Sequence, residues 1–261
     1  MNLGLHDRRA LVGGATSGLG AAIASALADE GCRLVLWSRK QERLDDAAAQ
    51  LRSRGVAVET VAADAATPEA AAVVAAEAQE KFGGIDVLVL NAGGPPTSDS
   101  RATTDDDWRR ALQLLLLTPV ALASTLLPAM RERGWGRIVA VLSSGVREPI
   151  PGLVYSNAGR VALAAWLKTV SRDVASDGVT VNGVVPGRIR TARTTALDAA
   201  RAEREGRNVD EVRAESTSQI PVGRYGDPDE FAAAVAFLCS ARASYQTGTF
   251  VTVDGGMLRS L

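Results

Sequence analysis

Residues 11–20 read LVGGATSGLG, and they join an apolar strand to an amphipathic helix through a turn rich in glycine. Gly14 allows the backbone to turn sharply, Gly18 allows it to come close to a pyrophosphate, and Gly20 allows the helix to pack tightly on the strand. The helix then directs its free N–H groups and the positive end of its dipole toward such an anion. We interpret this stretch as a phosphate-binding turn, and an ordinary tight strand-to-helix turn is the alternative.

Length and charge limit the class of protein. The chain has 261 residues, 46% of them hydrophobic, which fits one α/β domain with one large core, so we expect a single domain over residues 1–261. The formal net charge is -1 and no dense basic block occurs. We therefore expect neither nucleic acid nor a membrane surface among its partners.

Cysteine and histidine usage excludes several chemistries. Cys32 and Cys239 are isolated in the sequence, are typical of small core residues, and suggest a reducing, cytoplasmic location. His6 is the only histidine, so we expect no zinc or other metal site and no His-dependent triad. The N-terminus does not resemble a secretory leader. The apolar run 114–130 contains Thr118 and two prolines, and we interpret it as a helix buried against another subunit rather than a membrane span.

Short β-rich runs alternate with longer helical patterns along the chain. Strands are predicted at Ala10–Gly13, Arg33–Trp37, Val56–Ala62, Asp86–Leu90, Arg137–Leu142, Thr180–Val185 and Thr249–Val253. Helices are predicted at Gly18–Glu30, Gln41–Arg54, Pro68–Phe82, Asp105–Arg133, Leu153–Ser176 and Asp229–Ser240, with Thr67 and Asp227 as caps. This order predicts a doubly wound, parallel, seven-stranded α/β sheet of the Rossmann type, with helices on both faces and a ligand crevice at the carboxyl ends of the strands.

One segment, residues 188–220, does not fit the alternation. It has a helical composition rich in Arg, Glu, Ala and Thr, but it lies between a strand and the helix at Asp229. Long insertions over this edge of a sheet usually act as lids or substrate walls, and a solvated flap is the alternative. Arg188, Arg190 and Arg193 come nearest to a basic cluster, and we expect them to lie in a solvated loop.

The second predicted strand ends at a basic residue rather than an acidic one. Arg39 follows Ser38 at the place where the adenosine ribose of a dinucleotide would lie. An acidic side chain there accepts hydrogen bonds from the ribose hydroxyls, whereas a guanidinium and a serine hydroxyl suit a 2′-phosphate. The sequence therefore favours NADP(H) over NAD(H), with a solvated arginine as the alternative.

Six motifs together resemble those of the short-chain dehydrogenase/reductase family, most closely its 3-oxoacyl-[acyl-carrier-protein] reductase group, over essentially the whole chain. They are the turn Gly14–Gly20, Asp64, Asn91-Ala92-Gly93, Ser143, Asn182–Gly187 with Thr191, and Val253–Gly256. The resemblance implies that Gly14, Thr16, Ser17, Gly18, Leu19, Ser38, Arg39, Asp64, Ala65, Asn91, Ala92, Gly93, Pro186, Gly187, Ile189 and Thr191 bind the cofactor. For Asp64 the alternative is a turn cap, and for Asn91 a side chain bonded to the backbone.

The chain departs from the family at its catalytic residues. The resemblance places the family's catalytic serine on Ser143, but its tyrosine falls on Ser156, its lysine on Arg160 and its asparagine on Leu115. A serine hydroxyl is a much weaker acid than a phenol of pKa ~10, and arginine stays protonated, so it does not relay a proton as lysine does.

Tyr155 is a second candidate for the proton donor. It precedes Ser156 by one residue, and a shift or bulge at the helix start would turn its phenol toward Ser143. On a regular helix one residue corresponds to ~100° of rotation, which directs Tyr155 elsewhere and leaves it packed at the rim of the pocket.

These observations support three hypotheses about function. The first is an NADP(H)-dependent oxidoreductase with an atypical site that interconverts a carbonyl and an alcohol, on a small molecule or an acyl thioester. The second is a cofactor-binding scaffold or regulator without hydride transfer, and the third is an isomerase or dehydratase that uses the same pocket. The apolar surfaces of the helices at 105–133 and 153–176 predict a homotetramer or a homodimer.

Overall fold

The computed structural model describes residues 2–260, and its named strands form one sheet in which all neighbours are parallel. The strands are β1 (Arg9–Gly13), β2 (Arg33–Ser38), β3 (Val58–Ala62), β4 (Val87–Leu90), β5 (Gly136–Val141), β6 (Val179–Pro186) and β7 (Phe250–Val253). Their spatial order is β3-β2-β1-β4-β5-β6-β7. The chain therefore winds outward in both directions from β1 and β4, which confirms the predicted doubly wound sheet.

Helices cover both faces of the sheet. They are α1 (Gly18–Asp29), α2 (Gln41–Arg52), α3 (Ala70–Phe82), α4 (Asp105–Leu112), α5 (Thr118–Glu132), α6 (Val154–Val174), α7 (Ala192–Glu205), α8 (Val209–Ser218) and α9 (Pro228–Cys239). In β1, Ala10 and Val12 pack into one core with α1, α2 and α9, whereas Leu11 packs into the other with α3, α5 and α6. This alternation follows from the two-residue period of a strand buried on both sides.

The helix predicted over Asp105–Arg133 is interrupted. A π-helical turn at Gln113–Leu117 separates α4 from α5, so the prediction of one regular helix is wrong. The stretch Asp105–Glu132 is long and apolar enough to cross a membrane on length and composition alone, and part of it is buried, with α5 packing against α3, α6 and β5.

Two predicted helix starts have different outcomes. Helix α3 begins at Ala70 instead of Pro68, because Thr67 closes a turn onto the carbonyl oxygen of Asp64 with both its amide and its hydroxyl. Helix α9 begins at Pro228 after a capping box formed by Asp227 and Glu230, as the sequence predicts for the cap.

The segment 188–220 forms two helices, α7 and α8, which the sequence-based prediction did not place. Thr191 caps α7 by accepting a hydrogen bond from the amide of Thr194. The guanidinium of Arg188 pairs with the buried carboxylate of Asp198, which ties α7 to the end of β6.

Candidate active site

A cleft of about 1470 Å³ opens at the carboxyl edge of the sheet. Its walls include the turn after β1, the ends of β2, β4, β5 and β6, the start of α6 and part of α7. Among the predicted site residues, those that line it are Gly14, Thr16, Ser17, Gly18, Leu19, Ser38, Arg39, Asp64, Ala65, Asn91, Ala92, Gly93, Ser143, Ser156, Arg160, Pro186, Gly187, Ile189 and Thr191. The structure therefore brings every predicted site residue except Tyr155 to one continuous surface.

The glycine turn has the geometry of an anion cradle. Gly14 and Gly18 have φ angles of 59° and 55°, in the left-handed region where a side chain is strained. A Cβ atom on Gly20 would lie 2.2 Å from the carbonyl oxygen of Gly14. Only glycine at position 20 lets α1 start this close to the turn, with its first amide groups facing the cleft.

The end of β2 forms one end of the cleft. The hydroxyls of Thr16 and Ser38 lie 3.2 Å apart, which joins the glycine turn to this strand. Arg39 is exposed and lines the cleft together with Lys40 and Arg43. Three cations therefore lie together at this end of the cleft, where they would favour an anionic group.

Asp64 and Asn91 both make hydrogen bonds to the backbone. Asp64 accepts one from the amide of Ala66 at 3.0 Å and lies 3.8 Å from the guanidinium of Arg110. Asn91 donates from Nδ2 to the carbonyl oxygen of Gly13 at 2.9 Å, so it fixes the end of β1 beside β4. These contacts agree with the structural alternatives for both residues and leave both on the cleft wall.

The loop after β6 crosses the cleft toward the glycine turn. The Cγ2 methyl of Thr191 lies 3.4 Å from the position that a Cβ on Gly18 would take. Ile189 is buried beneath the loop, and its backbone carbonyl accepts a hydrogen bond from the hydroxyl of Thr194. The loop and the glycine turn thus form two sides of the same part of the cleft.

Ser143 lies at the end of β5, where the strand passes into a short helical turn. Its Oγ accepts a hydrogen bond from the amide of Gly145 at 3.1 Å. The hydroxyl proton of Ser143 is left free for an acceptor in the cleft.

Ser156 and Arg160 lie one turn apart on α6, and both are buried and line the cleft. Arg160 donates from Nη1 to the carbonyl oxygen of Val141, which holds α6 against the end of β5 two residues before Ser143. Burial lowers the pKa of Arg160 to about 10, and the nearby charge of Arg193 adds to this effect. The side chain is still a cation at neutral pH.

Tyr155 does not line the cleft. Its residue surface is only 2% exposed, and its ring packs edge-on against Trp108 of α4. The hydroxyl is buried and has no hydrogen-bond partner among residues 2–260. The structure therefore separates Tyr155 from Ser143, as a regular helix start predicts.

Leu115 occupies the position that the resemblance assigns to an asparagine. It lies in the π-helical turn, is buried, and places its Cβ 2.9 Å from where a Cβ on Gly159 would be. Leu115 therefore makes an apolar packing contact with α6 at the position that the resemblance assigns to an asparagine.

The three arginines expected in a solvated loop have different surroundings. Arg188 pairs with Asp198, and Arg190 pairs with Asp227 at 2.8 Å. Arg193 lines the cleft and donates from Nη2 to the carbonyl oxygen of Pro95 at 2.8 Å. The solvated-loop prediction is wrong for Arg188, which is half-buried in its pair with Asp198. Arg193 is exposed as predicted, but it lies in the first turn of α7 and on the cleft wall rather than in a loop.

A smaller depression of about 580 Å³ lies at the opposite, amino edge of the sheet. Its arginines serve the fold: Arg9 and Arg133 pair with the buried carboxylate of Asp86, while Arg33 lies over the ring of Phe82. We therefore assign the chemistry to the larger cleft.

Comparison with known proteins agrees with this geometry. The sequence profile of the family described as Enoyl-(Acyl carrier protein) reductase matches residues 14–258. Human "Dehydrogenase/reductase SDR family member 4" is 34% identical over 254 residues, which cover 97% of this chain and 88% of that protein. The chain belongs to the short-chain dehydrogenase/reductase family.

Two further members of this oxidoreductase family are similar over their full length. The 3-oxoacyl-[acyl-carrier-protein] reductase FabG of Vibrio cholerae is 33% identical over 255 residues, with 98% of this chain and 99% of that protein covered. L-Sorbose reductase from Gluconobacter frateurii, solved in complex with NADPH and L-sorbose, superimposes with a TM-score of 0.94 at 35% identity and full coverage of both chains.

Proposed function

We propose that this short-chain dehydrogenase/reductase is an NADP(H)-dependent enzyme that interconverts a carbonyl and an alcohol on a small molecule or acyl thioester. One observation carries the proposal: the glycine turn, the basic end of β2 and the residues Ser143, Ser156 and Arg160 share one cleft. The similar L-sorbose reductase was solved with NADPH, which supports the same cofactor class here.

The cleft fits this cofactor in shape and charge. A Cβ on Gly14 or Gly20 would lie 2.8 Å or less from neighbouring atoms, so the turn is kept open by glycine alone. We assign the diphosphate of the cofactor to Gly14, Thr16, Ser17, Gly18 and Leu19, and its 2′-phosphate to Ser38 and Arg39. The adenine is assigned to Asp64 and Ala65, and the adenosine side to Asn91, Ala92 and Gly93. The nicotinamide is assigned to Pro186, Gly187, Ile189 and Thr191. NADPH bound there supplies a hydride to the carbonyl carbon.

Ser143, Ser156 and Arg160 act on the carbonyl oxygen in this proposal. The free hydroxyl proton of Ser143 polarises the carbonyl, and the charge of Arg160 stabilises the negative charge that develops on the oxygen. Ser156 delivers the proton that completes the alcohol and recovers it from water that enters the cleft. Tyr155 has no part in this scheme, because its hydroxyl lies outside the cleft.

A second candidate function follows from Leu115 and Tyr155. Leu115 packs an apolar side chain against Gly159 and the hydroxyl group of Tyr155 is buried outside the cleft, so neither residue brings a polar group to the cleft. A cofactor-binding scaffold without hydride transfer, or an isomerase or dehydratase with a resident cofactor, would need neither group.

Calorimetric titration with NADPH and an absorbance assay at 340 nm separate these functions. We expect binding, and oxidation of NADPH with at least one member of a panel of ketones, sugars and 3-oxoacyl thioesters. Ser143→Ala and Ser156→Ala should each lower kcat while binding of NADPH is retained. Binding without turnover over the whole panel would favour the scaffold, and product formation without net NADPH consumption would favour the isomerase or dehydratase.

We also propose that residues 188–220 act as a lid over the substrate end of this cleft. Thr191, Arg193, Leu197, Arg201 and Arg204 of this segment line the cleft and form one of its walls.

A further inference from the structure

The substrate end of the cleft has an excess of positive charge, only part of which is neutralised by ion pairs within the fold. The cationic side chains lining it are Arg160, Arg188, Arg193, Arg201, Arg204 and Arg259, whereas the carboxylates lining it there are Glu148 and Glu205. The whole chain, with 29 basic and 30 acidic residues, is close to neutral. The excess is therefore local to the cleft.

Some of these cations are already neutralised. Arg188 pairs with Asp198, Arg201 pairs with Glu205 and Glu215, and Arg204 lies 3.8 Å from Glu205. Their charges serve the packing of α7 and α8 and are not available to a ligand at full strength.

Arg160 and Arg193 differ from these residues because neither has a carboxylate within 4.0 Å in the part of the chain that the structure describes. Their hydrogen bonds go to carbonyl oxygens, of Val141 and Pro95 respectively. They also lie close enough that the charge of Arg193 contributes to the lowered pKa of Arg160. Two cations without a paired carboxylate, the buried Arg160 and the exposed Arg193, thus lie near each other on the cleft wall, and burial makes the unpaired charge of Arg160 costly.

The guanidinium of Arg193 is held in place across the cleft mouth. Its Nη2 lies 2.9 Å from the position that a Cβ on Gly94 would take, so the absence of a side chain at Gly94 lets the guanidinium lie flat on the loop after β4. The bond to Pro95 uses one donor of Nη2, and the guanidinium fork still has donors for a two-oxygen anion.

The proposed cofactor does not neutralise this pair at its reacting end. The oxidised nicotinamide ring is itself a cation, and the proposed diphosphate site is the glycine turn. The molecule on which the enzyme acts is therefore the available source of a negative charge that pairs with Arg193.

We infer that the substrate is a small oxo acid or hydroxy acid whose carboxylate is bound by Arg193, with Arg160 facing the oxygen that is reduced or oxidised. This inference rests on the proposed function and specifies the substrate class of the same site. Arg193 is then the residue that selects an anionic substrate over a neutral one.

Matched pairs of acid and ester test this inference. Pyruvate, acetoacetate and levulinate place the carbonyl at three distances from the carboxylate, and the methyl ester of each removes the charge while it keeps the carbonyl. We expect kcat/KM for at least one acid to exceed that of its ester tenfold or more. Arg193→Gln should abolish this ratio, Arg193→Lys should restore part of it, and Arg190→Gln should leave it unchanged, because Arg190 is not a cleft residue and pairs with Asp227 at the surface.

A binding measurement keeps the inference separate from the proposed function. Calorimetric titration of the NADP⁺-loaded protein with the same acids and esters should give heat for an acid and none for its ester, and Arg193→Gln should weaken acid binding at least tenfold. Reduction of acids and esters at equal rates would overturn the inference and leave the proposed function standing. Arg193-dependent binding of an acid without any turnover would overturn the proposed function and support the carboxylate site.

Cofactor phosphate is the competing source of negative charge. If Arg193→Gln weakens NADP⁺ binding and leaves the acid-to-ester ratio as it is in the wild-type protein, then Arg193 serves the cofactor and the inference is wrong. A wild-type NADP⁺ affinity in this variant, together with the lost ratio, supports the inference.

Discussion

The phenol ring of Tyr155 packs edge-on against the indole ring of Trp108, with the ring centroids 4.8 Å apart and the planes at 78°. This contact directs Tyr155 toward α4, while the next residue of α6, Ser156, lines the cleft. One residue of an α-helix corresponds to ~100° of rotation, so only one of the two can face Ser143. The packing of Tyr155 on Trp108 therefore leaves Ser156 on the cleft wall.

Tyr155→Phe should therefore leave activity close to wild type. The phenol oxygen is buried without a hydrogen-bond partner among the described residues, and such a group costs roughly 1–3 kcal/mol. We expect the free energy of unfolding, measured in urea, to be unchanged or higher. Ser156→Ala is the matched variant and should lower kcat; the reverse pattern, with Tyr155→Phe inactive and Ser156→Ala active, would contradict the assignment.

Arg160→Met should abolish most activity without unfolding the protein. The side chain is a buried cation with no ion pair among residues 2–260, so its replacement by an apolar chain of similar length removes a desolvation cost. If its charge stabilises the oxyanion, kcat should fall on the order of 100-fold, which corresponds to ~2.7 kcal/mol in the barrier. Steady-state kinetics measures the loss of kcat, and a thermal melt shows whether the variant is folded. A loss of both activity and folding would contradict the prediction.

The wild-type rate should also fall at alkaline pH. The pKa of Arg160 lies at about 10, so the side chain is a cation below that pH and becomes neutral above it. We expect kcat to decline through about pH 10, while circular dichroism verifies that the fold persists. Arg160→Lys keeps a titratable cation and should keep an alkaline decline, whereas any activity left in Arg160→Met should not show one.

Most of the fold could be predicted because local sequence patterns determine it. The strand preceding Gly14 and the glycines at 14, 18 and 20 specify the first βα unit, and the apolar runs specify the remaining strands. The π-helical turn at Gln113–Leu117 could not be predicted, because four consecutive leucines are equally compatible with a regular α-helix. Its position is set by packing against α6.

The site could be predicted as a set of positions but not as a set of contacts. Counting from the family motifs places Ser156 and Arg160 correctly on the cleft wall. By contrast, the bond from Arg193 to Pro95 joins residues 98 positions apart, and no local pattern encodes such a pair. For this reason the sequence alone predicts only a solvated loop for Arg193.

Arg39→Gln should change the choice of cofactor. A guanidinium bound to a phosphate contributes roughly 1.5–3 kcal/mol, which corresponds to about 10- to 150-fold in affinity. We expect the Kd for NADPH to rise by this factor and the Kd for NADH to change little, both measured by fluorescence titration. Arg172→Gln on the exposed face of α6 is the control and should leave both constants unchanged. Equal losses for both cofactors would contradict a 2′-phosphate contact.

Asp86→Asn should destabilise the amino edge of the sheet. Asp86 is buried and accepts hydrogen bonds from Arg9 at 2.8 and 2.6 Å, with Arg133 at 3.4 Å. Burial raises the pKa of Asp86, but the bonds from Arg9 outweigh this effect and the net pKa is below 3.8. A lowered carboxyl pKa stabilises the fold above pH 3.8, and this stabilisation is lost as the pH falls through the folded-state value.

We expect Asp86→Asn to lower the free energy of unfolding by on the order of 3 kcal/mol at neutral pH. The free energy of unfolding of this variant should also depend less on pH than that of the wild type, as measured by urea unfolding between pH 2 and 7. Asp29→Asn removes the partner of an exposed pair with Arg54 and should cost less than about 1 kcal/mol. Similar losses of unfolding free energy in the two variants would show that burial does not strengthen the ion pairs of Asp86.

The protein should assemble into a homodimer or homotetramer through the surface near α5 and α6. Leu117 of the π-helical turn is 51% exposed and Val161 of α6 is 48% exposed, and a second copy of the chain would cover both. Light scattering at micromolar concentration should give a multiple of 27.2 kDa.

Leu117→Glu combined with Val161→Glu should lower the mass, because burying two carboxylates in an apolar contact is costly. Val73→Glu, at a 41% exposed valine on α3, is the control and should keep the wild-type mass. A monomeric wild-type protein would contradict the prediction, and an unchanged mass in the double variant would place the interface elsewhere on the chain.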